Sequence, residues 1–386
     1  MKQICPPKLC TGCGACANVC PKQCISMDCD KYGFLHPNID KSQCVDCRLC
    51  EKTCPNNREE RKEMPLKAIV ACSKNDETVR LSSSGGIFSE LAKSIFEGNG
   101  VVFGAVFADD FLTVHHSKAT NLDELSKMRG SKYIQSNILG VYKESKSYLQ
   151  SGKKVLFSGT PCQVAGLKSY LGKDYPNLLT VDFVCHGVAP SKAYREYLKS
   201  LNLQGKICDA QFRYKKTAAD KYKDCLLRIC LEDGTCFEEK WLSSSSSSYC
   251  YGFVNNLLLR TSCIKCKYAN VLRVSDITLG DYLADVDSEL LKKSPKAKSL
   301  VLINTEAGAQ ELSKITDSLL YSEISIEKAV AVSKNLQAPT VPHRNRKKVM
   351  KYVGKRPWNE LTANYFTVYK PVRTLKSIKN KLNIFK

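Results

Sequence analysis

CTGCGACANVCP at residues 10–21 and CVDCRLCEKTCP at residues 44–55 organise the N-terminal part of this chain. Each run spaces its cysteines by two, two and three residues and closes on Cys-Pro. The first is Cys10, Cys13, Cys16, Cys20 and Pro21; the second is Cys44, Cys47, Cys50, Cys54 and Pro55. Three thiolates on one tight loop can hold three corners of an iron–sulfur cubane, so the fourth ligand must come from elsewhere. Gly12 and Gly14 suit a loop that wraps closely around inorganic sulfide, where a side chain would collide. Zinc knuckles and disulfides are the alternatives. Zinc sites use paired cysteines rather than two complete triplet-plus-Cys-Pro runs, and disulfides need no such regularity.

The runs follow the pattern of bacterial two-cluster ferredoxins, in which the last cysteine of each run crosses to the other [4Fe–4S] cluster. That pattern assigns Cys10, Cys13, Cys16 and Cys54 to one cluster, and Cys44, Cys47, Cys50 and Cys20 to the other. Residues 1–64 are read as a bacterial-type ferredoxin module with short strands around Ile25 to Leu35. Cys5, Cys24, Cys29 and Cys72 exceed the ligand count and are read as small buried hydrophobes.

The 386 residues are 43% hydrophobic, enough for this module plus one large or two medium domains. No apolar run approaches the ~18 residues of a membrane span, and Met1–Pro7 is no signal sequence. Twenty-one cysteines would suit a secreted disulfide scaffold, but the length and the cluster-like grouping favour a reducing cytoplasm. The net charge of +21 is uneven: residues 334–386 hold fourteen Lys/Arg against Glu360 alone. The expectation is a basic, interacting C-terminal tail, not a nucleic-acid-binding body, since no zinc-finger, helix-turn-helix or RNA-binding signature accompanies it. Within it, Leu375, Ile378, Leu382 and Phe385 form one apolar stripe among basic residues. Such a helix could lie on an anionic membrane face, dock on an acidic partner such as ferredoxin, or pack on its own domain.

After a charged hinge at 58–65, residues 65–333 read as an α/β domain. AIVAC (68–72), GVVFGAVFA (100–108), KVLFSG (154–159), LLTVDFV (178–184) and SLVLINT (299–305) are buried strands. Helices are expected at 87–97, at 121–128, after Pro161, after Pro190 and at 306–315. Strands that run into small polar loops before helices make an open sheet, which binds ligands at the carboxyl ends of its strands. Ser82–Gly86 precedes a helix and could cradle a phosphate, although an ordinary serine cap explains it equally. RGSKYIQS (129–136) is a loop or a site. Residues 206–241 read as a β-meander inserted in the domain, with a turn at Asp233-Gly234, and 243–248 as a flexible serine loop. Cys208, Cys225, Cys230, Cys236 and Cys250 fall in apolar runs and read as core.

SSGG, GSKY.QS, SGTPCQVAGL, VCHGV.PS, FRYKK, C..CKYA and SDITLGDY, in this order over residues 65–330, resemble the coenzyme F-420 hydrogenase/dehydrogenase beta-subunit family. The resemblance implies an α/β flavin domain, usually holding FAD, with a further iron–sulfur cluster in the same domain. Cys162, Cys185, Cys263 and Cys266 supply its four thiolates; the alternative is that the first two line the flavin pocket and the last two are structural. The flavin is expected at Ser84, Gly85 and Gly86, at Lys132, Tyr133, Gln135 and Ser136, and at Gly159, Thr160, Pro161 and Gln163. His186 and Lys132 are the candidate catalytic groups, and Asp276 and Asp281 are expected to fix loops.

Together these features read as an iron–sulfur flavoprotein oxidoreductase. It would pass electrons between ferredoxin-type clusters and FAD to reduce or oxidise a small organic substrate or a deazaflavin. Ferredoxin or another redox protein would be its partner. The alternatives are a non-catalytic electron-transfer subunit of a larger complex, and an interaction protein that has lost its flavin.

Overall fold

The computed structural model describes residues 3–241 and 248–366. Most of the serine run and the apolar stripe expected after residue 370 lie outside them.

Strands buried on both faces need no polar side, so they read as continuous apolar runs. Val155, Leu156 and Phe157 are such a run, all fully buried. They belong to a nine-stranded sheet whose order in space is Leu319–Ile324, Lys67–Ser73, Ser299–Ile303, Ile277–Asp281, Leu178–Phe183, Val155–Ser158, Val101–Phe107, Val114–Ala119 and Ser136–Asn137. The four strands from Ile277–Asp281 to Val101–Phe107 run parallel. The strands beyond them add antiparallel pairings on both flanks, so the open sheet expected from the sequence is mixed. Strands 114–119 (VHHSKA) and 319–324 (LLYSEI) escaped the apolar-run reading because they alternate with His, Ser, Lys and Glu.

The expected helix at 87–97 is Ile87–Glu97, which buries Ile87, Leu91, Ala92 and Ile95. Pro161–Leu171 begins in a capping box of Thr160 and Gln163. The meander forms as Ile207–Tyr214, Leu226–Leu231 and Cys236–Lys240, each antiparallel to the next. Its cysteines are not all core: Cys230 and Cys236 face one another across two strands and are joined in a disulfide, and Cys208 is exposed. Cys29, also expected inside, lies exposed on the short hairpin of Ile25–Cys29 and Leu35–Ile39.

The basic tail expected from residue 334 is part of the fold as far as residue 366. Helices Arg346–Tyr352 and Trp358–Tyr365 bury Val349, Trp358 and Leu361, and Phe366 joins them against Tyr194, Tyr197 and Tyr249. In the first of these helices Lys347, Lys348 and Lys351 stay exposed while Val349 and Met350 pack, and Arg346 is buried with Nε donating to Leu259 O. Among the described residues no helix is long and apolar enough to cross a membrane.

The centre of the sheet holds one ion pair away from water. Arg273 and Asp182 are 1% and 0% exposed, with Nη2 2.9 Å from Oδ2. Thr278 Oγ1 donates to the other Asp182 oxygen at 2.6 Å. Asp276 is equally committed, accepting from Thr180 N, Thr180 Oγ1 and Thr305 Oγ1. Removing one partner of a buried pair leaves an uncompensated charge, at a cost of about 3–5 kcal/mol. Arg273→Met should therefore lower the unfolding free energy by an amount in that range and move the urea midpoint down. An unchanged midpoint in urea titrations would show that the pair does not hold the sheet.

Candidate functional site

The carboxyl ends of the parallel strands open on a cavity of about 420 Å³, a size usual for ligand sites. Its walls come from the loops after strands Val155–Ser158 and Leu178–Phe183, the end of Ile277–Asp281, the serine–glycine turn at 82–89 and the segment 128–136. Ser84, Gly86, Lys132, Tyr133, Gln135, Ser136, Gly159, Thr160, Pro161, Gln163 and His186 all line it, as do Cys162, Cys185, Cys263 and Cys266. Residues spread over more than 180 positions of sequence thus share one space.

Gly85 is the exception. Its N–H donates to Ser299 Oγ at 2.9 Å, and an added Cβ would lie 2.4 Å from the Ala71 carbonyl oxygen. It is a close-packing point of turn on sheet and does not line the cavity. Gln163 and Gln135 line the cavity, but their amides have structural partners. Gln163 Oε1 accepts from Thr160 N, and Nε2 donates to Ser136 O. Gln135 Oε1 accepts from Leu35 N at 2.9 Å, and Nε2 donates to Thr11 O at 3.3 Å, tying the cavity wall to the N-terminal module. Ser136 Oγ is 2.7 Å from His116 Nδ1. The His116 Nε2 faces the Ser158 carbonyl at 3.0 Å, so Nε2 carries the proton and Nδ1 accepts from the serine. Burial lowers the His116 pKa to about 4, and the ring stays neutral.

One wall is aromatic and one is cationic. Tyr133 stacks on Trp241 at 4.5 Å and meets Phe253 at 4.6 Å; His186 packs on Phe253 at 5.3 Å, and burial lowers its pKa. Arg213 pairs with Asp281 at 2.7 Å and lies over the Tyr222 ring. Arg129 lines the cavity beside the Gly86 end of helix Ile87–Glu97, where no side chain caps the first turn. Free N–H groups and the helix dipole there favour an anion. Lys132 Nζ reaches the carbonyls of Met128, Arg129 and Gly130 at 3.1–3.3 Å. Sequence reading missed Arg213, Tyr222, Trp241, Phe253 and His116, and placed Arg129 only within a stretch read as a loop or a site. FRYKK carries Arg213 within the resemblance, but nothing local in the meander says that it folds over a pocket.

The four cavity cysteines are close enough to influence one another. Burial, then repulsion from the other three, pushes the Cys185 thiol well up, and burial raises Cys263 to about 11. In the N-terminal module, burial and then Cys13, Cys10 and Cys54 raise the Cys16 thiol. The Cys50 thiol instead feels Cys20 and Cys47, so the last cysteine of each run lies with the other run. Cys24 Sγ lies 3.4 Å from Cys20 Sγ, and Cys5 lies against Cys10 and Cys54. Among the described residues no three His, Cys, Asp or Glu converge on a single metal ion; a cubane takes its thiolates at separate iron corners.

The module's first cysteine loop meets the cavity directly. Thr11 and Gly12 line it, and Gly12 has φ +71° with Gln135 Nε2 only 2.3 Å from where a Cβ would be. Only glycine fits there. Tyr142 OH lies 2.9 Å from the Cys13 carbonyl and 2.7 Å from that of Gln163. Ser169 Oγ donates to Thr53 O, and Tyr268 OH to Glu60.

Residues 68–143 match the model for the coenzyme F420 hydrogenase/dehydrogenase beta subunit N-terminus, and residues 152–328 the model for its C terminus. Residues 9–57 match a 4Fe-4S dicluster domain. An uncharacterized protein of Methanocaldococcus jannaschii is 26% identical over 196 residues, 43% of this chain and 53% of that protein. The match thus spans about half the length of this curated relative. A chain of the F420-reducing [NiFe] hydrogenase complex from Methanosarcina barkeri is similar over 78% of this chain and 97% of its own, with 16% identity and a TM-score of 0.44.

Burial lowers the Lys132 pKa from the ordinary 10.5 to about 7, against a smaller opposing effect of Asp209. The neutral amine, which is the nucleophile, should therefore be available near neutral pH. Limiting acetylation of ligand-free protein, mapped by mass spectrometry, should label Lys132 with a midpoint near pH 7, while exposed lysines follow their usual ~10.4. A Lys132 profile indistinguishable from theirs would contradict the buried environment.

Proposed function

Because the chain belongs to the coenzyme F420 hydrogenase/dehydrogenase beta-subunit family and carries an N-terminal 4Fe-4S dicluster domain, we propose that it is an FAD-dependent iron–sulfur oxidoreductase. It links one-electron traffic through its clusters to a two-electron reaction of a small organic substrate or a deazaflavin. The observation that carries this reading is the cavity itself. It gathers four half-buried thiols, an uncapped helix start with Arg129 beside it, an aromatic wall and the edge of the Cys10–Cys13 loop.

The residues present fit both groups. Cys162, Cys185, Cys263 and Cys266 would hold a third [4Fe–4S] cluster. The helix start at Gly86, with Arg129, would hold flavin phosphates, and the wall of Tyr133, Trp241 and Phe253 would cover apolar rings. A bound flavin would supply chemistry that accepts electrons singly and delivers them in pairs.

The chain's own residues supply the rest. Lys132 Nζ, with its pKa near 7, can give or take a proton at neutral pH. His186, held neutral by burial, can share a proton from its ring. Tyr133 and Trp241 exclude water from the aromatic side. Arg213, neutralised by Asp281, orients the wall without adding net charge. The electron donor or acceptor outside the chain would be a redox protein.

Anaerobically purified full-length protein should hold about twelve irons, four for each of three cubanes, and should release FAD on denaturation. Cys263→Ser with Cys266→Ser should remove about four irons and leave about eight. Unchanged iron in that double variant would show that these cysteines are not ligands. Replacing Arg129 by Ala should lower bound FAD without changing iron; full FAD occupancy would remove Arg129 from the flavin site.

A further inference from the structure

Arg260 is 2% exposed, and among the described residues no carboxylate pairs with it. Its backbone belongs to the turn that carries Cys263: Arg260 N donates to Val188 O, and Cys263 N donates to Arg260 O. Its side chain leaves that turn and enters the N-terminal module. Nε donates to the Cys10 carbonyl at 2.8 Å, and Nη1 to Gln135 Oε1 at 3.2 Å. Nη2 meets His36 Nε2 at 2.9 Å. A guanidinium only donates, so His36 accepts from Arg260 through Nε2, which also lies 3.5 Å from Asp30 Oδ2. The Phe34 ring covers the group at 5.4 Å. The α/β domain thus places one full, buried positive charge against the cysteine loop that borders the cavity.

We propose that Arg260 raises the reduction potential of the cluster held by Cys10, Cys13, Cys16 and Cys54, and so favours an electron resting at the cavity edge. The proposal rests on that ligand assignment. Reduction adds one negative charge to a bound cluster, and a nearby fixed cation stabilises the more negative state. Little water is present to screen it, and cluster charge and hydrogen bonding are the levers that set such potentials. Among the described residues the cations in the second cysteine run, Arg48 and Lys52, are exposed to solvent, as is Cys47. No bond forms or breaks; the effect is on the equilibrium between two states one electron apart. Arg260 is a positioning residue, since it acts through the Cys10 loop.

The test is a potentiometric titration of anaerobically purified full-length protein, followed by electron paramagnetic resonance. In Arg260→Gln the midpoint of one N-terminal cluster should move negative while the other stays. Arg260→Lys keeps the charge and should move it less. Gln135→Glu sets a carboxylate beside the guanidinium and should reproduce the negative shift in the same cluster with Arg260 intact. Repeating the series in the Cys263→Ser/Cys266→Ser background confines the readout to the two N-terminal clusters. Unshifted midpoints at full iron content would overturn the proposal. So would equal shifts for Gln and Lys, or equal shifts of both N-terminal clusters. If Arg260→Gln fails to retain iron, Gln135→Glu alone decides. The iron content of the unmodified protein tests the ligand assignment independently of Arg260.

Discussion

Two backbone carbonyls of the first cysteine loop, those of Cys10 and Cys13, are bonded to side chains from the α/β domain: Arg260 from one side and Tyr142 from the other. This pinning is the constraint on which the remaining arrangement depends. A loop that holds a cluster has to keep its backbone N–H groups and sulfurs facing inward, so its carbonyls point out and need partners. Here the partners belong to the domain that owns the cavity. The module is therefore fixed by its own ligand loop, with Thr11 and Gly12 as part of the cavity wall. Electron transfer depends on such closeness, and no flexible linker could supply it.

The cavity follows from the sheet. Four parallel strands end together, and the loops after them carry Thr160–Gln163 and Cys185–Gly187 to one place. The buried network of Asp182, Arg273, Thr278 and Asp276 fixes the order of the strands beneath, because each of its charges and hydroxyls is satisfied in only one register. Arg273 also ties the hinge, through backbone bonds to Glu63 in both directions. One residue therefore connects the module's exit to the sheet and to the CxxC turn beside it. The meander and the C-terminal helices close the other side with aromatic rings packed edge and face, a geometry that contributes beyond buried area alone.

Charge in this protein is better read by position than by sum. The basic surplus led to the expectation of an interacting tail from residue 334, yet Trp358, Leu361 and Phe366 are core residues. Among the described residues the buried cations carry structural weight: Arg260, Arg273, Arg213, Arg346 and Lys215. Lys215 donates to the Val79 and Ser84 carbonyls beneath the serine turn, and burial lowers its pKa to about 8. None of these stands out in a count of lysines and arginines.

What the sequence determined by itself was local chemistry. Cysteine spacing of two, two and three followed by proline constrains a loop tightly enough to name its ligand chemistry. Apolar runs such as KVLFSG and LLTVDFV announce strands, because burial on both faces leaves no alternation to confuse. The order of seven short motifs named the family. Tertiary structure decided what local pattern cannot encode. Strands 114–119 and 319–324 are polar enough at alternate positions to hide. Gly85 looked like a ligand contact, yet it serves backbone packing, while Gln135 and Gln163 line the cavity and their amides also serve a docking clamp and a helix cap. Arg260 lies 250 residues from Cys10, and only the folded chain brings its charge to that loop. A side chain's partner is set by distance in space, and sequence fixes that distance only within a turn, a helix or a hairpin.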